Sequence, residues 1–155
     1  RANMSLRRHL LPVARLYWRL TRPMTLGVRI IATNEEGQIL LVRHSYIQGW
    51  FLPGGGVEKG ETAMEAAVRE LAEEAGLEAT GTLSLMSVHA NFKEFKSDHV
   101  LLFRAEAWLP CPAKHNGEIV EIGWFSPLTL PSDTSPATRA RLAEHFHGHP
   151  VSQHW

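Results

Sequence analysis

Residues Gly55–Leu77 read GGVEKGETAMEAAVRELAEEAGL, and their reading decides how the rest of the chain is organised. The stretch opens as a glycine turn, passes an acid at Glu61, and continues as an amphipathic helix carrying Arg69, Glu70, Glu73 and Glu74. Thr62 and Glu65 have capping-box spacing, so the helix starts near Thr62, and Gly76 stands where a left-handed C-terminal cap belongs. Its apolar stripe is Met64, Ala67, Val68, Leu71 and Ala75, which must face a sheet. Glu70, Glu73 and Glu74 stand at i, i+3 and i+4, which gathers three carboxylates on one side, well away from that stripe. Like charges so placed repel by roughly 0.2–0.5 kcal/mol per pair. A solvated helix face usually mixes signs, so a bare acidic triad beside a glycine turn points to a seat for divalent cations. Ala63 and Ala66 precede Glu70 on its own face, and their small side chains are expected to leave space there for a bulky ligand.

The chain around this stretch is 155 residues long, 44% apolar and 21% charged, which suits one globular domain with a real core. Formal net charge is zero, which argues against broad electrostatic binding to nucleic acid. Cys111 is the single cysteine, so an intramolecular disulfide is impossible, and a reducing, cytoplasmic setting fits. No apolar run approaches the length of a membrane span, so stable membrane insertion is not expected. Arg1-Ala2-Asn3 ahead of Met4 reads as a tag remnant. Ser5–Arg22 is a basic leader whose Leu10, Val13, Ala14, Tyr17 and Leu20 are helically spaced; it could pack on the domain or supply a homodimer contact. The expected division is leader 1–24, domain 25–147 and tail 148–155.

Strand signals lie on both sides of the helix. Thr25–Thr33 and Gln38–Arg43 flank the turn residues Asn34–Gly37 and read as a hairpin. Trp50–Leu52 reads as a short strand ended by Pro53 and the Gly54–Gly56 run. Beyond the helix, Thr80–Ala90 and His99–Trp108 read as two long strands joined by a polar turn, and Ile119–Phe125 as a shorter one. Ser135-Pro136 is a helix-start signal, placing a second helix over Pro136 to about Phe146, with a polar, frayed tail after His147. The fold class expected is α/β in the mixed α+β sense: a mixed β-sheet between helical layers.

Gly55, Glu61 and the run Arg69-Glu70-Leu71-Ala72-Glu73-Glu74-Ala75-Gly76-Leu77 match every fixed position of the Nudix box. The chain therefore resembles the Nudix (MutT-like) hydrolases, over about Thr25 to Phe146, with an α/β/α sandwich as the implied fold. The resemblance implies cleavage of a diphosphate bond in a nucleoside diphosphate derivative by water attack at phosphorus, with Mg²⁺ or else Mn²⁺. It implies metal ligation by Glu70, Glu73, Glu74 and the carbonyl of Gly54, the residue just before the box glycine. Glu118, six residues before Trp124, stands where some members place a further carboxylate, as metal ligand or general base; Glu121 and Glu70 are rivals for the base. The alternative is a catalytically silent member that senses a ligand.

The residues argue the same chemistry on their own. Mg²⁺ takes oxygen ligands and bridges carboxylates to substrate phosphates, and bound cations polarise the P–O bond and activate water. Arg69 joins the catalytic group as the side chain that holds Glu70 in position through Glu61, Glu65 or Glu73. Gly55–Thr62 also approaches a P-loop pattern, but Glu61 replaces its lysine and would repel a phosphate. Arg29 and Arg43 are candidates to meet a phosphate or sugar. Trp50, Phe51, Phe92 and Phe95 are candidates for base stacking, against the commoner role of strand aromatics as core, and His44 and His89 are placed near the site. The proline that ADP-ribose hydrolases carry shortly beyond the box is missing, since none occurs between Leu77 and Pro110. A small nucleoside diphosphate-type substrate is expected, with no nucleic-acid partner.

Overall fold

The protein's computed structural model describes residues 23–114 and 117–155, with Tyr17 and Thr21 ahead of them in helical conformation. The expectations for the tag remnant and for the rest of the leader lie outside the described residues. Seven strands and two helices follow: β1 (Thr25–Ala32), β2 (Ile39–His44), α1 (Ala63–Ala75), β3 (Leu77–Ala79), β4 (Ser84–Ala90), β5 (Asp98–Ala105), β6 (Trp108–Pro110), β7 (Ile119–Phe125) and α2 (Pro136–Phe146). No described helix is long and apolar enough to cross a membrane.

The main sheet runs β1-β5-β4, with β1 parallel to β5 and β4 antiparallel to it. Two-stranded antiparallel ladders join β2 to β7 and β3 to β6. β1 and β2 alternate strictly between two cores, as a strand covered on both faces must. Val28, Ile30, Leu40 and Val42 meet Ala67 and Leu71 of α1 in one cluster. Ile31, Ile39 and Leu41 meet Trp50, Leu52 and Leu142 of α2 in the other. The strands are thus sandwiched between helices, in the mixed architecture expected.

Three sequence expectations are corrected. The β1–β2 hairpin reduces to one bridge, Thr33 to Ile39. The edge of β1 that β2 would have used is taken instead by the glycine loop: Val28 N–H donates to Gly55 O at 2.8 Å, Ile30 N–H to Pro53 O at 3.0 Å, and Val57 N–H to Leu26 O at 2.9 Å. The long strand expected over Thr80–Ala90 begins only at Ser84, because the chain turns at Thr80–Leu83 around Gly81, and the preceding Leu77–Ala79 pairs with β6. His99–Trp108 likewise breaks after Ala105, and Trp108 passes into a different ladder.

The tail is also corrected, since it is docked rather than frayed. Ala90 N–H donates to Gln153 O at 2.8 Å and Trp155 N–H to Ala90 O at 3.0 Å, continuing the edge of β4. From α2, Arg141 Nη1 donates to His154 O at 2.9 Å, and Glu144 Oε1 accepts from Ser152 N–H at 3.0 Å. Polarity was a poor guide here: backbone hydrogen bonds, the charged side chains of Arg141 and Glu144, and the packing of Trp155 against the second core cluster do the holding.

Candidate active site

α1 starts and stops where the sequence places its caps. Thr62 Oγ1 accepts from Glu65 N–H at 3.2 Å while Glu65 Oε2 accepts from Thr62 N–H at 2.8 Å. Gly76 adopts φ 64°, the left-handed cap, and its N–H closes on Leu71 and Ala72. Burial of the apolar stripe sets the helix rotation: Leu71 and Ala67 pack in the core, and Glu70 and Glu74 lie against the glycine loop. Ala66 is corrected here: it is buried in the α1 core and opens no space in front of the acids.

The loop sits almost in contact with the helix. Gly54 adopts φ 148°, and a Cβ there would strike the Val28 carbonyl. A Cβ on Gly55 would strike the Glu70 carboxylate. Gly54 N–H donates to Glu74 Oε2 at 2.9 Å, and Gly54 O accepts from Arg29 Nη1 at 2.5 Å. Arg29, on β1, therefore reaches the site through a backbone carbonyl.

Glu74 is 7% exposed, although it lies off the apolar stripe of its helix. Burial pushes its pKa up to about 7, against the Gly54 hydrogen bond and the Arg29 charge, while Glu70 and Glu118 push it further up. Glu70 is also raised, by burial first, with Arg69 opposing. His44 Nδ1 lies 3.8 Å from Glu74 Oε1, within ion-pair range. Burial and Arg29 nevertheless hold the imidazole below its ordinary pKa, with only Glu118 acting the other way. Burial thus disfavours the charged form of both partners, which weakens any ion pair between them.

Arg69 is the clamp. Its Nε and Nη2 grip Glu61 at 2.8 and 3.0 Å, its Nη1 reaches Glu70 Oε1 at 2.7 Å and Glu73 Oε2 at 3.3 Å, and Nη2 also donates to Gly56 O at 3.1 Å. Hydrogen bonds from Arg69 first, and one from Glu58 N–H, hold Glu61 down at about 2. The triad is therefore not bare, as the helical spacing alone suggested. Glu65 is absent from the clamp because it is engaged in the N-cap.

Of the remaining expected site residues, Glu73 lies on the exposed side with its side chain 42% accessible. Glu118 is exposed just before β7; its backbone O accepts from Ser45 N–H at 2.8 Å, and its charge acts on both His44 and Glu74. Glu121 faces Arg43 at 3.6 Å instead, and Arg43 also pairs with Asp133 at 2.9 Å, so both leave the carboxylate cluster. His89 is corrected: it is fully buried on β4 beneath Trp155, 5.6 Å between rings. Trp50 is core. Sequence reading missed Tyr46, whose ring lies 5.1 Å from His44 and whose hydroxyl pKa is raised by burial and then by Glu74. The only signal for it was its place two residues after His44.

Among the described residues no three His, Cys, Asp or Glu side chains stand ready-grouped around a metal position. The donor chemistry nevertheless fits a hard divalent cation. Hydrogen bonds occupy Glu70 Oε1, Glu73 Oε2 and Glu74 Oε2, leaving the second oxygen of each outside those bonds. Buried carboxyls with raised pKa values are groups whose ionised form lacks enough positive charge nearby, and a cation supplies it.

The family profile described as NUDIX domain matches residues 23–146. A Bacillus subtilis (strain 168) protein named as a candidate 8-oxo-dGTP diphosphatase is 35% identical over 124 residues, covering 80% of this chain and 81% of that protein. An RNA pyrophosphohydrolase of Aeromonas hydrophila subsp. hydrophila is 32% identical over 133 residues, covering 83% of this chain and 66% of its own length. Among solved structures, a MutT NUDIX hydrolase from Burkholderia pseudomallei superposes with a TM-score of 0.66 at 25% identity, over 78% of this chain and 97% of that one. The chain thus belongs to the NUDIX domain family and is a hydrolase acting on acid anhydrides.

Proposed function

We propose that the protein hydrolyses a diphosphate bond in a small nucleoside di- or triphosphate derivative, with Mg²⁺ or Mn²⁺ as its cofactor. One observation carries the reading: the half-buried Glu70 and the buried Glu74, with Gly54 bonded to Glu74, form an all-oxygen pair with raised carboxyl pKa values. Similarity to the 8-oxo-dGTP diphosphatase candidate and to the RNA pyrophosphohydrolase supports a nucleotide as substrate.

In this reading Glu70, Glu73, Glu74 and the Gly54 carbonyl hold the cation, with Glu118 as a further ligand or as base. When bound, the cation neutralises the diphosphate and lowers the pKa of the attacking water. The chain's own residues do the positioning. Arg69 holds the Glu70 carboxylate against Glu61, Gly54 N–H orients Glu74, and Arg29 fixes the loop carbonyl. Glu118 and Glu70 share the candidacy for general base, and Glu118→Gln separates them by whether the acid limb of kcat, where a general base becomes protonated, survives.

The test is a panel of nucleoside triphosphates, nucleoside diphosphate derivatives and a 5′-triphosphate RNA, each with Mg²⁺, with Mn²⁺ and after chelation. Turnover is expected to vanish on chelation and to return with metal. Glu73→Gln, at an exposed position, is expected to lower kcat by about 10²-fold or more, with the circular dichroism spectrum unchanged. Undiminished turnover in that variant would refute the metal assignment, and no cleavage of any member would favour the ligand-sensing alternative.

A further inference from the structure

A cleft adjoins the carboxylate cluster through Arg29 and His44 and runs away from the family's box. It has a volume of about 910 Å³, and its lining runs from Arg29, His44 and Tyr46 to His154 and Trp155 of the tail. The near end is catalytic by contact, since Arg29 holds Gly54 O and His44 adjoins Glu74. The far end is a segment that no part of the chemistry above requires.

That segment is held by more than incidental packing. Arg141 is 2% exposed and pairs with Glu144 through Nε at 2.9 Å and through Nη2, while both residues also bond the tail backbone. Its guanidinium lies 5.4 Å over the Trp155 ring, which also meets the ring of buried His89 at 5.6 Å and packs against the core cluster that holds Ile31 and Leu142. A buried ion pair is weak evidence for stability, because desolvation offsets the attraction; its best-attested use is to fix one arrangement among several. Here the pair fixes the register of residues 152–155 against β4, and so decides which side chains face the cleft. His154 is exposed there, with Phe92 at 6.2 Å, and Trp155 is half-buried and lines the cleft.

We propose that residues 152–155 form the far wall of the substrate cleft and that Trp155 and His154 position the non-reacting, nucleoside end of the substrate. This rests on the hydrolase reading above and adds to it a specificity element outside the box. An aromatic ring and an imidazole suit a planar base, which offers them a π face and hydrogen-bonding edges.

The experiment compares wild type with Trp155→Ala, Trp155→Phe and His154→Ala on the four ribonucleoside triphosphates, with thermal melts confirming the fold. Trp155→Ala is expected to raise KM about five- to tenfold with kcat within about twofold, flattening the preference among bases, and Trp155→Phe is expected to restore most of it. Unchanged KM, or a fall in kcat alone, overturns the proposal. If Trp155→Ala does not fold, His154→Ala decides in the same way, since its exposed side chain leaves the backbone bonds intact. Calorimetric titration with the same nucleotides separates this idea from the hydrolase reading. Binding weakened by Trp155→Ala in a protein without turnover keeps the wall and removes the enzyme, whereas equal binding in both proteins removes the wall.

Discussion

At the residue scale, Glu74 shows how a position in a helix and a position in a fold differ. The helical wheel places it with its acidic neighbours away from the apolar stripe, yet it is buried, because the glycine loop covers it and donates Gly54 N–H to it. Its pKa, near 7 against an ordinary 4.5, has a definite consequence for stability. A carboxyl whose folded pKa is raised binds a proton more readily folded than unfolded. Metal-free protein should therefore lose stability as pH rises from about 4.5 to about 7, by up to about 3 kcal/mol from this group. Glu74→Gln removes the titration, so its stability advantage over wild type should grow across that window in urea titrations without metal. Added Mg²⁺ should stabilise wild type more than the variant. A gap that is flat with pH would mean that Glu74 is not desolvated as described.

At the element scale, the glycine loop and α1 work as a pair, and the loop's place on β1 replaces the hairpin that the sequence led one to expect. Gly54 is where this contact is tightest. Its φ of 148° and the Val28 carbonyl against its Cβ direction leave no room for a side chain. Gly54→Ala is expected to cost about 1–3 kcal/mol, and to lower turnover by displacing both the Glu74 hydrogen bond and the loop carbonyl. Gly56→Ala is the control: nothing lies within 4 Å of its Cβ direction, and its stability should stay within about 0.5 kcal/mol of wild type. Thermal denaturation of the two variants side by side checks the contrast.

At the scale of the whole molecule, the strands between α1 and α2 hold both the chemistry and the cleft in place. Leu71 is fully buried where α1 meets β1 and β2, one residue beyond Glu70. Leu71→Ala is expected to destabilise by about 2–5 kcal/mol, seen as a lower urea midpoint with the slope unchanged. A loss below about 1 kcal/mol would show that the helix docks less tightly than its burial implies.

Local rules sufficed for the parts of this protein that local forces control. The caps of α1, its inward Leu71 and Ala67 and the start of α2 all follow from backbone periodicity and capping chemistry. Spacing left Glu61, Glu65 and Glu73 open as partners of Arg69, and the structure joins it to Glu61 and Glu73. What depends on segments distant in the chain was settled only by packing. The partner of β1, the burial of Glu74 and Ala66, the engagement of the Gly54 carbonyl by Arg29, and the departure of Arg43 and Glu121 toward Asp133 and each other are all of this kind. The tail is the clearest case: its backbone finds β4 and its clamp comes from α2, so its polar composition, read alone, pointed to the wrong state. Side-chain type and spacing determine which groups are available, and the competition among distant segments for strand edges and buried volume determines which of them meet.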